Sequence, residues 1–233
     1  MRGRLEKDGV TFYTRGGRTI MRSATSDQPK RRTLGQFVAR QQLSHSCRLW
    51  SELKRAGEPM FGAGDTAYGR FRSLMRRTPV VFVPKKGAMM GATFLLPEMP
   101  ISEGVLPEVR QWLDEVDGQT VFATSLTRSD VKRGDKLRLY RLRQVLEGVR
   151  PVVRIEMQEV GVADFQTVGE QLVLMGEEFS DDMRGWALVH VQGSRCSSQS
   201  VVTRCSYYER FATDEALQEA AKSYGGLTDQ KSR

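Results

Sequence analysis

Apolar and polar residues follow two different periods along the chain, and each period predicts a different kind of element. The first pattern is a β-hairpin. Residues 10–14 and 18–24 are β-type runs joined through Gly16 and Gly17, and paired glycines supply the positive φ angles of a two-residue turn. With Arg15 opposite Arg18, strand alternation predicts one face that carries several arginines beside a tyrosine. That face consists of Thr11, Tyr13, Arg15, Arg18, Ile20 and Arg22.

Two helical patterns follow the hairpin. Thr33 and Gln36 form a capping-box start for a helix that ends near Ala56, and a shorter helix is predicted over residues 66–78. Each helix has an apolar side and a basic side at 100° per residue. The apolar side of the first helix is predicted to contain Leu34, Val38, Leu43, Leu49, Trp50, Leu53 and Ala56. Its opposite side contains Arg40, Ser44, Arg48, Ser51 and Arg55, and the second helix has Tyr68, Phe71, Leu74 and Met75 inward with Arg70, Arg72, Arg76 and Arg77 outward.

The second half of the chain is typical of β-structure. After a short predicted strand over residues 80–83, runs rich in Val, Leu and aromatic residues are separated by Gly, Pro or acidic clusters. These runs are 137–140, 152–160, 172–175, 186–191 and 199–207. In the second run, Val153, Ile155 and Met157 alternate with polar residues, which is typical of an antiparallel strand buried on one face. The spacing predicts a β-sandwich, and residues 213–224 predict a short terminal helix.

Together these elements predict an α+β fold with an N-terminal hairpin and two helices, an antiparallel β-sandwich and a short terminal helix. The predicted organisation is a basic hairpin-helix module over residues 1–86 and a linker over 87–105. The sandwich domain would span 106–210, and the terminal helix and tail 211–233. Composition agrees with a folded protein, since 39% of the 233 residues are hydrophobic and 27% are charged.

Charge is distributed unevenly between the two halves. Residues 1–86 hold 19 Lys and Arg against 6 Asp and Glu, whereas residues 87–233 hold 17 against 22. A basic segment of this kind is the electrostatic signature expected of a protein that meets a polyanion. Of the 19 cations, 14 are Arg, and a guanidinium group suits phosphate better than an ammonium group does. Genomic base composition could also produce this Arg content.

The predicted nucleic-acid-binding residues come from the hairpin face, the basic link after it and the helix faces. They are Tyr13, Arg15, Arg18, Arg22, Lys30, Arg31, Arg32, Arg40, Arg48, Arg55, Arg72 and Arg76. The alternative for each surface is an amphipathic element whose charged face is simply solvated. A second basic strip in the sandwich contains Lys132, Lys136, Arg138, Arg141 and Arg143. We expect these five residues to pair with the acidic loops of the same domain rather than to extend the polyanion surface.

Signatures of catalysis, metal binding and cofactor binding are missing from the sequence. Cys47, Cys196 and Cys205 and the two histidines, His45 and His190, have no metal-ligand spacing, and no phosphate loop or nucleophile elbow occurs. We therefore expect no enzyme activity, no cofactor and no metal. The acidic groups 114–117 and 177–182 are expected to lie in loops. Whether Cys196 pairs with Cys205 is left open.

The chain also lacks the patterns that direct a protein to a membrane. The longest nearly uncharged stretch, residues 87–97, is about half the length that a bilayer crossing needs. No apolar h-region of a signal peptide follows Met1. These features lead us to expect a cytoplasmic protein that does not insert into membranes.

Several short motifs resemble a family of proteins of unknown function found widely in Bacteroidota. The motifs are Gly9-Val10-Thr11-Phe12-Tyr13, Gly17, Arg22, Arg32-Thr33, Ser102-Glu103-Gly104-Val105-Leu106, Trp186 to Val191, and Ser198-Gln199-Ser200-Val201. The resemblance implies a basic N-terminal part and an immunoglobulin-like C-terminal sandwich, and it implies no activity or site. The chain departs from this pattern in residues 207–233, which continue beyond the last sandwich strand.

Two functions remain open from the sequence. The first is a non-enzymatic binding protein whose Arg-rich N-terminal module contacts DNA or RNA through phosphates, with the sandwich mediating protein contacts. The second is a structural or assembly component, such as a part of a phage particle or a cell-envelope complex. In that case the basic face would bind an acidic protein surface. The oligomeric state is not predicted.

Overall fold

The architecture is α+β, with antiparallel sheets and two α-helices in the part of the chain that the structure describes. The structure is a computed structural model. It describes residues 5–7, 10–15, 17–23, 34–62, 66–78, 98–147, 150–181 and 184–204. Several predicted features lie outside these residues: the 80–83 strand, the end of the 199–207 run and the helix over 213–224.

The N-terminal strands form a three-stranded antiparallel sheet in the order β1-β2-β3. Its strands are β1 (Leu5–Lys7), β2 (Val10–Arg15) and β3 (Arg18–Ser23). Arg15 pairs with Arg18, and Tyr13 with Ile20, so the register predicted from the two-glycine turn is confirmed. Strand β1 was not predicted, because three residues are too few to show alternation.

The two helices have the boundaries that their periodicity predicts, to within three residues. They are α1 (Leu34–Ala56) and α2 (Thr66–Met75). The N–H of Gly57 donates to the carbonyl of Leu53 at 3.0 Å where α1 ends. The predicted apolar side of α1 is wrong at one position, since Leu43 is 43% exposed whereas Leu49 and Leu53 are each 2% exposed.

Residues 98–204 contain two larger sheets and a small two-stranded one. The five-stranded sheet has the order β12-β11-β7-β8, with β14 also on β11. Its strands are β7 (Lys136–Glu147), β8 (Arg150–Val160), β11 (Arg184–Gln192), β12 (Arg195–Cys196) and β14 (Val202–Thr203). The four-stranded sheet, in the order β5-β6-β10-β9, consists of β5 (Gln111–Val116), β6 (Gln119–Thr124), β9 (Gln166–Val168) and β10 (Gln171–Met175). Strands β4 (Pro100–Ser102) and β13 (Gln199–Ser200) pair with each other.

The predicted β-runs correspond to β7, β8, β10, β11 and the pair β13 and β14, but one loop prediction is wrong. Asp114 and Glu115 lie on β5 rather than in a loop, and only Asp117 occupies the turn, with a φ of 52°. Acidic residues are poor strand formers by propensity, so the hairpin of β5 and β6 was missed. The later acids Glu177 and Glu178 begin a short 3₁₀ helix, Glu177–Ser180.

The five-stranded sheet buries both of its faces. On one face Tyr140 and Leu142 join Leu49, Leu53 and Phe71 of the helices in one hydrophobic cluster. On the other face, side chains from both large sheets share a second cluster. Among its members are Leu137, Leu139, Trp186 and Leu188 from the five-stranded sheet, and Phe122, Leu172 and Leu174 from the four-stranded sheet. The order of layers is therefore helices, five-stranded sheet, four-stranded sheet.

The helices and the β-strands share a core, although the sequence assigned them to different domains. The predicted boundary after residue 86 lies outside the described residues, so it stays a prediction. The predicted linker, residues 87–105, includes the buried strand β4, and the N–H of Glu103 donates to the carbonyl of Met60 at 2.8 Å. These contacts tie the segment that follows α1 directly to the β-structure.

Candidate nucleic-acid interface

The polar stripe predicted on α1 lies on the surface. Arg40, Ser44, Arg48, Ser51 and Arg55 are all exposed. The opposite side of the helix, with Leu49 and Leu53, is buried against α2 and the five-stranded sheet. A helix repeats every 3.6 residues, so this periodicity was enough to predict the exposure of the stripe.

A second stripe runs along α2. Tyr68, Arg72 and Arg76 are spaced four residues apart, so they lie along one side of the helix. The guanidinium carbon of Arg72 is 5.7 Å from the centre of the Tyr68 ring, a cation–π distance. The N–H of Arg76 donates to the carbonyl of Arg72 at 3.2 Å, which continues the helical turn beyond Met75. The sequence predicted that Tyr68 faces inward, and its side chain packs against the hydrophobic cluster beneath the helices. Its contact with Arg72 was not predicted, although the four-residue spacing was an available signal.

One contact joins the two stripes. The Sγ of Cys47 lies 3.1 Å from the hydroxyl of Tyr68, and Cys47 is one turn from both Ser44 and Ser51 on α1. The hydrogen bond with Cys47 raises the pKa of Tyr68. We call the combined surface the helical basic face. It consists of Arg40, Ser44, Arg48, Ser51 and Arg55 of α1 and Tyr68, Arg72 and Arg76 of α2.

Arg55 differs from the other predicted contacts on this face because it has a carboxylate partner. Its Nη1 lies 2.6 Å from Oε1 of Glu52, and Nη1 of Arg154 lies 3.0 Å from the same oxygen. The Glu52 side chain is only 10% exposed. Two guanidinium groups therefore compensate one buried carboxylate, and Glu52 links α1 to strand β8. Arg40, Arg48 and Arg76 form no ion pair with any residue in the described part of the chain.

The other predicted contacts are in or near the hairpin. Because Arg15 pairs with Arg18, Tyr13 with Ile20 and Thr11 with Arg22, the predicted contacts Tyr13, Arg15, Arg18 and Arg22 share one face of the sheet. Arg18 is exposed. Lys30, Arg31 and Arg32 lie outside the described residues.

Three members of the second basic strip form ion pairs, but only Arg141 pairs with a predicted acidic loop, since the partner of Lys136 and Arg138 lies on strand β8. Nζ of Lys136 lies 3.0 Å from Oε1 of Glu159, and Nε of Arg138 lies 3.5 Å from the same atom. The hydrogen bond from Lys136 lowers the pKa of Glu159. Arg141 pairs with Glu178 at 2.9 Å. Arg143 is exposed and has no ion pair among the residues that the structure describes.

A polar cluster that the sequence did not predict lies where β7 begins and β11 ends. Nε2 of His190 is 2.9 Å from Oδ2 of Asp135, and Gln192 donates to the same oxygen at 3.0 Å. Desolvation raises the pKa of Asp135, but hydrogen bonds from Lys132 N–H, His190 and Gln192 outweigh it and lower the pKa. The two partners are 55 residues apart in sequence, so no local pattern could signal this pair.

Ser197 contacts the backbone of His190 rather than its ring. The Ser197 hydroxyl accepts a hydrogen bond from the backbone N–H of His190 at 3.1 Å. A serine nucleophile needs a hydrogen bond to the imidazole ring, and among the described residues the ring bonds Asp135 and no serine. No group of three or more potential metal ligands occurs among the described side chains.

Cys196 is buried as a free thiol, and desolvation raises its pKa. Its possible partner Cys205 lies outside the described residues.

The comparisons with protein-family models, curated proteins and solved structures gave no match. None of the described helices is long and apolar enough to cross a membrane.

Proposed function

We propose that this chain is a non-enzymatic binding protein that contacts nucleic acid through the phosphate backbone, using the helical basic face. One observation carries the proposal. Arg40, Arg48 and Arg76 are exposed and form no ion pair within the described part of the chain, while the Cys47–Tyr68 contact places the α1 and α2 stripes side by side. Arginines held on two packed helices are pre-organised to bind phosphate oxygens.

The chemistry of this face favours binding that is salt-dependent and weakly sequence-specific. Phosphate contacts release condensed counterions, so the affinity falls steeply as the salt concentration rises. Phosphate contacts fix position, whereas contacts with base edges give specificity. The Tyr68 ring is already occupied by Arg72 at 5.7 Å and Trp50 at 5.4 Å, so it does not offer a free surface on which a base could stack.

We further propose that the two large sheets form a β-sandwich that mediates protein contacts. The hydrophobic cluster that they share, with Phe122 from one sheet and Trp186 from the other, supports this arrangement. The resemblance found in the sequence implies that this sandwich has an immunoglobulin-like strand topology.

Titration of the protein with fluorescent DNA duplex and single-stranded RNA tests the proposal. We expect micromolar or tighter affinity at about 50 mM salt, falling by at least tenfold towards about 200 mM. The doubly substituted variant Arg40→Gln/Arg48→Gln should lose affinity and show a salt slope smaller by about two. No binding to either nucleic acid at low salt would contradict the proposal.

The matched control is Arg110→Gln/Arg133→Gln. These two arginines are exposed on the β-part of the chain, and their substitution changes the net charge by the same amount. An equal loss of affinity in both variants would show that only net charge matters. Polyglutamate serves as a second probe. If it binds as tightly as the duplex at equal charge, the helical basic face recognises acidic protein surfaces instead.

A further inference from the structure

Three arginines stand directly opposite one another on three neighbouring strands. Arg184 of β11 pairs in register with Arg143 of β7, and Arg143 pairs with Arg154 of β8. Residues directly opposite each other in antiparallel strands have their side chains on the same face. Like charges in such positions repel, so this arrangement costs stability unless an anion compensates it.

The outer two arginines of this row have acidic partners, but the central one does not. Arg184 lies 3.1 Å from Glu178 and 3.0 Å from Asp181, and Arg154 lies 3.0 Å from Glu52. Arg143 is exposed and has no ion pair with any residue that the structure describes. The uncompensated charge is therefore located at the centre of the row.

The row is continuous with the helical basic face. Strand β8 is at the edge of the five-stranded sheet, and Arg154 and Arg55 contact the same oxygen of Glu52. Arg48 is one turn before Glu52 on α1, so it borders the same contact. Basic side chains thus extend from α1 around the sheet edge as far as Arg184.

We propose that Arg143 binds a phosphate of the same nucleic acid, so that the backbone passes from the helical basic face onto the arginine row of the sheet. This inference rests on the proposed function and adds a second contact region to it. Two interstrand spacings make the row about 10 Å long. That length corresponds to about three nucleotides at an axial rise of about 3.4 Å. Leu142 and Ile155, which adjoin Arg143 and Arg154 on their strands, pack against the helices, so the row lies on the opposite face of the sheet. The nucleic acid therefore has to pass around the edge strand β8 to contact the row and α1 together.

The test compares Arg143→Gln with Arg133→Gln, using the fluorescent DNA duplex as the probe. Arg133 is also an exposed arginine, and it precedes β7 at the end far from Arg143. Each variant removes one positive charge. We expect Arg143→Gln to weaken binding about threefold to tenfold at moderate salt and to reduce the salt slope by about one. Arg133→Gln should leave both quantities close to those of the unsubstituted protein.

The outcomes separate this inference from the proposed function. If Arg143→Gln behaves like Arg133→Gln while Arg40→Gln/Arg48→Gln loses affinity, the helical basic face binds nucleic acid and the row does not. If the unsubstituted protein does not bind the duplex or the RNA, both proposals are wrong. Circular dichroism checks that Arg143→Gln folds. Because the substitution relieves repulsion between like charges, we expect no fall in its melting temperature.

Discussion

A Cβ atom on Gly104 would clash with the carbonyl oxygen of Cys196, so this position requires glycine. The close approach is held by hydrogen bonds on both sides. The N–H of Gly104 donates to the Ser198 hydroxyl at 3.0 Å, and the N–H of Leu106 donates to the Cys196 carbonyl at 3.0 Å. Residues 102–106 and 196–201 are therefore fixed to each other, although each was only a short isolated motif in the sequence.

Gly104→Ala should destabilise the protein strongly. The added methyl group meets backbone, which cannot move without breaking the hydrogen bonds around it, and we expect a loss of about 3 kcal/mol or more in the free energy of unfolding. Chemical denaturation followed by circular dichroism measures it. Gly69→Ala on α2 is the control, since no atom lies within 4 Å of its added Cβ. It should be neutral or stabilise by up to about 1 kcal/mol through helix propensity. An equal change in the free energy of unfolding for Gly104→Ala and Gly69→Ala would contradict the close approach of Gly104 to Cys196.

Glu52→Gln should weaken the fold and strengthen nucleic-acid binding at the same time. The substitution removes the negative charge that Arg55 and Arg154 share, and because both arginines are partly exposed we expect a cost of about 1–3 kcal/mol. The Arg55 guanidinium group loses its carboxylate partner and can bind phosphate instead. Denaturation and duplex titration below the melting temperature measure the two effects.

Glu58→Gln is the matched control for this prediction. Glu58 is exposed, and its substitution changes the net charge by the same amount. It should cost at most about 0.5 kcal/mol and should tighten binding less than Glu52→Gln does. If both variants bind the duplex equally, Arg55 does not participate in binding.

His45 should make the protein less stable as the pH falls below about 6.5. Its Nε2 is buried and has no hydrogen-bond partner within the described residues. Desolvation, with a contribution from Arg48, lowers its pKa from 6.5 to about 4. Above pH 6.5 the His45 ring is neutral in the folded and the unfolded state, so protonation of His45 does not reduce the free energy of unfolding. Between that pH and about 4 the unfolded state alone binds a proton, so stability is lost.

The expected loss from His45 is about 3 kcal/mol by about pH 4, because the buried ring resists protonation and each unit by which its pKa is lowered corresponds to about 1.4 kcal/mol. Melting temperatures of the unsubstituted protein and of His45→Leu, measured across this pH range, check it. The variant should retain its stability at pH values where the unsubstituted protein loses it. Parallel pH profiles would show that His45 does not cause the loss.

Features that depend on residues close together in the sequence were predictable, whereas features that depend on distant residues were not. The hairpin register followed from Arg15 and Arg18 flanking two glycines, and the exposure of Arg40 and Arg48 followed from helical period. Strand β5 was missed because its acids, Asp114 and Glu115, oppose strand propensity. Its place in the sheet is decided by pairing with β6 and by burial of the apolar residues between the sheets.

Local sequence patterns specify the type and boundaries of α1 and α2, the hairpin register and the concentration of arginines on exposed faces. These features depend on residues within a few positions of one another, so backbone geometry and periodicity are enough to specify them. The packing of distant segments is what brings Glu52 to Arg154, Asp135 to His190, and Arg143 to its position between Arg154 and Arg184. Those relationships join residues far apart in sequence, and they arise from the packing of the helices and sheets around common hydrophobic clusters.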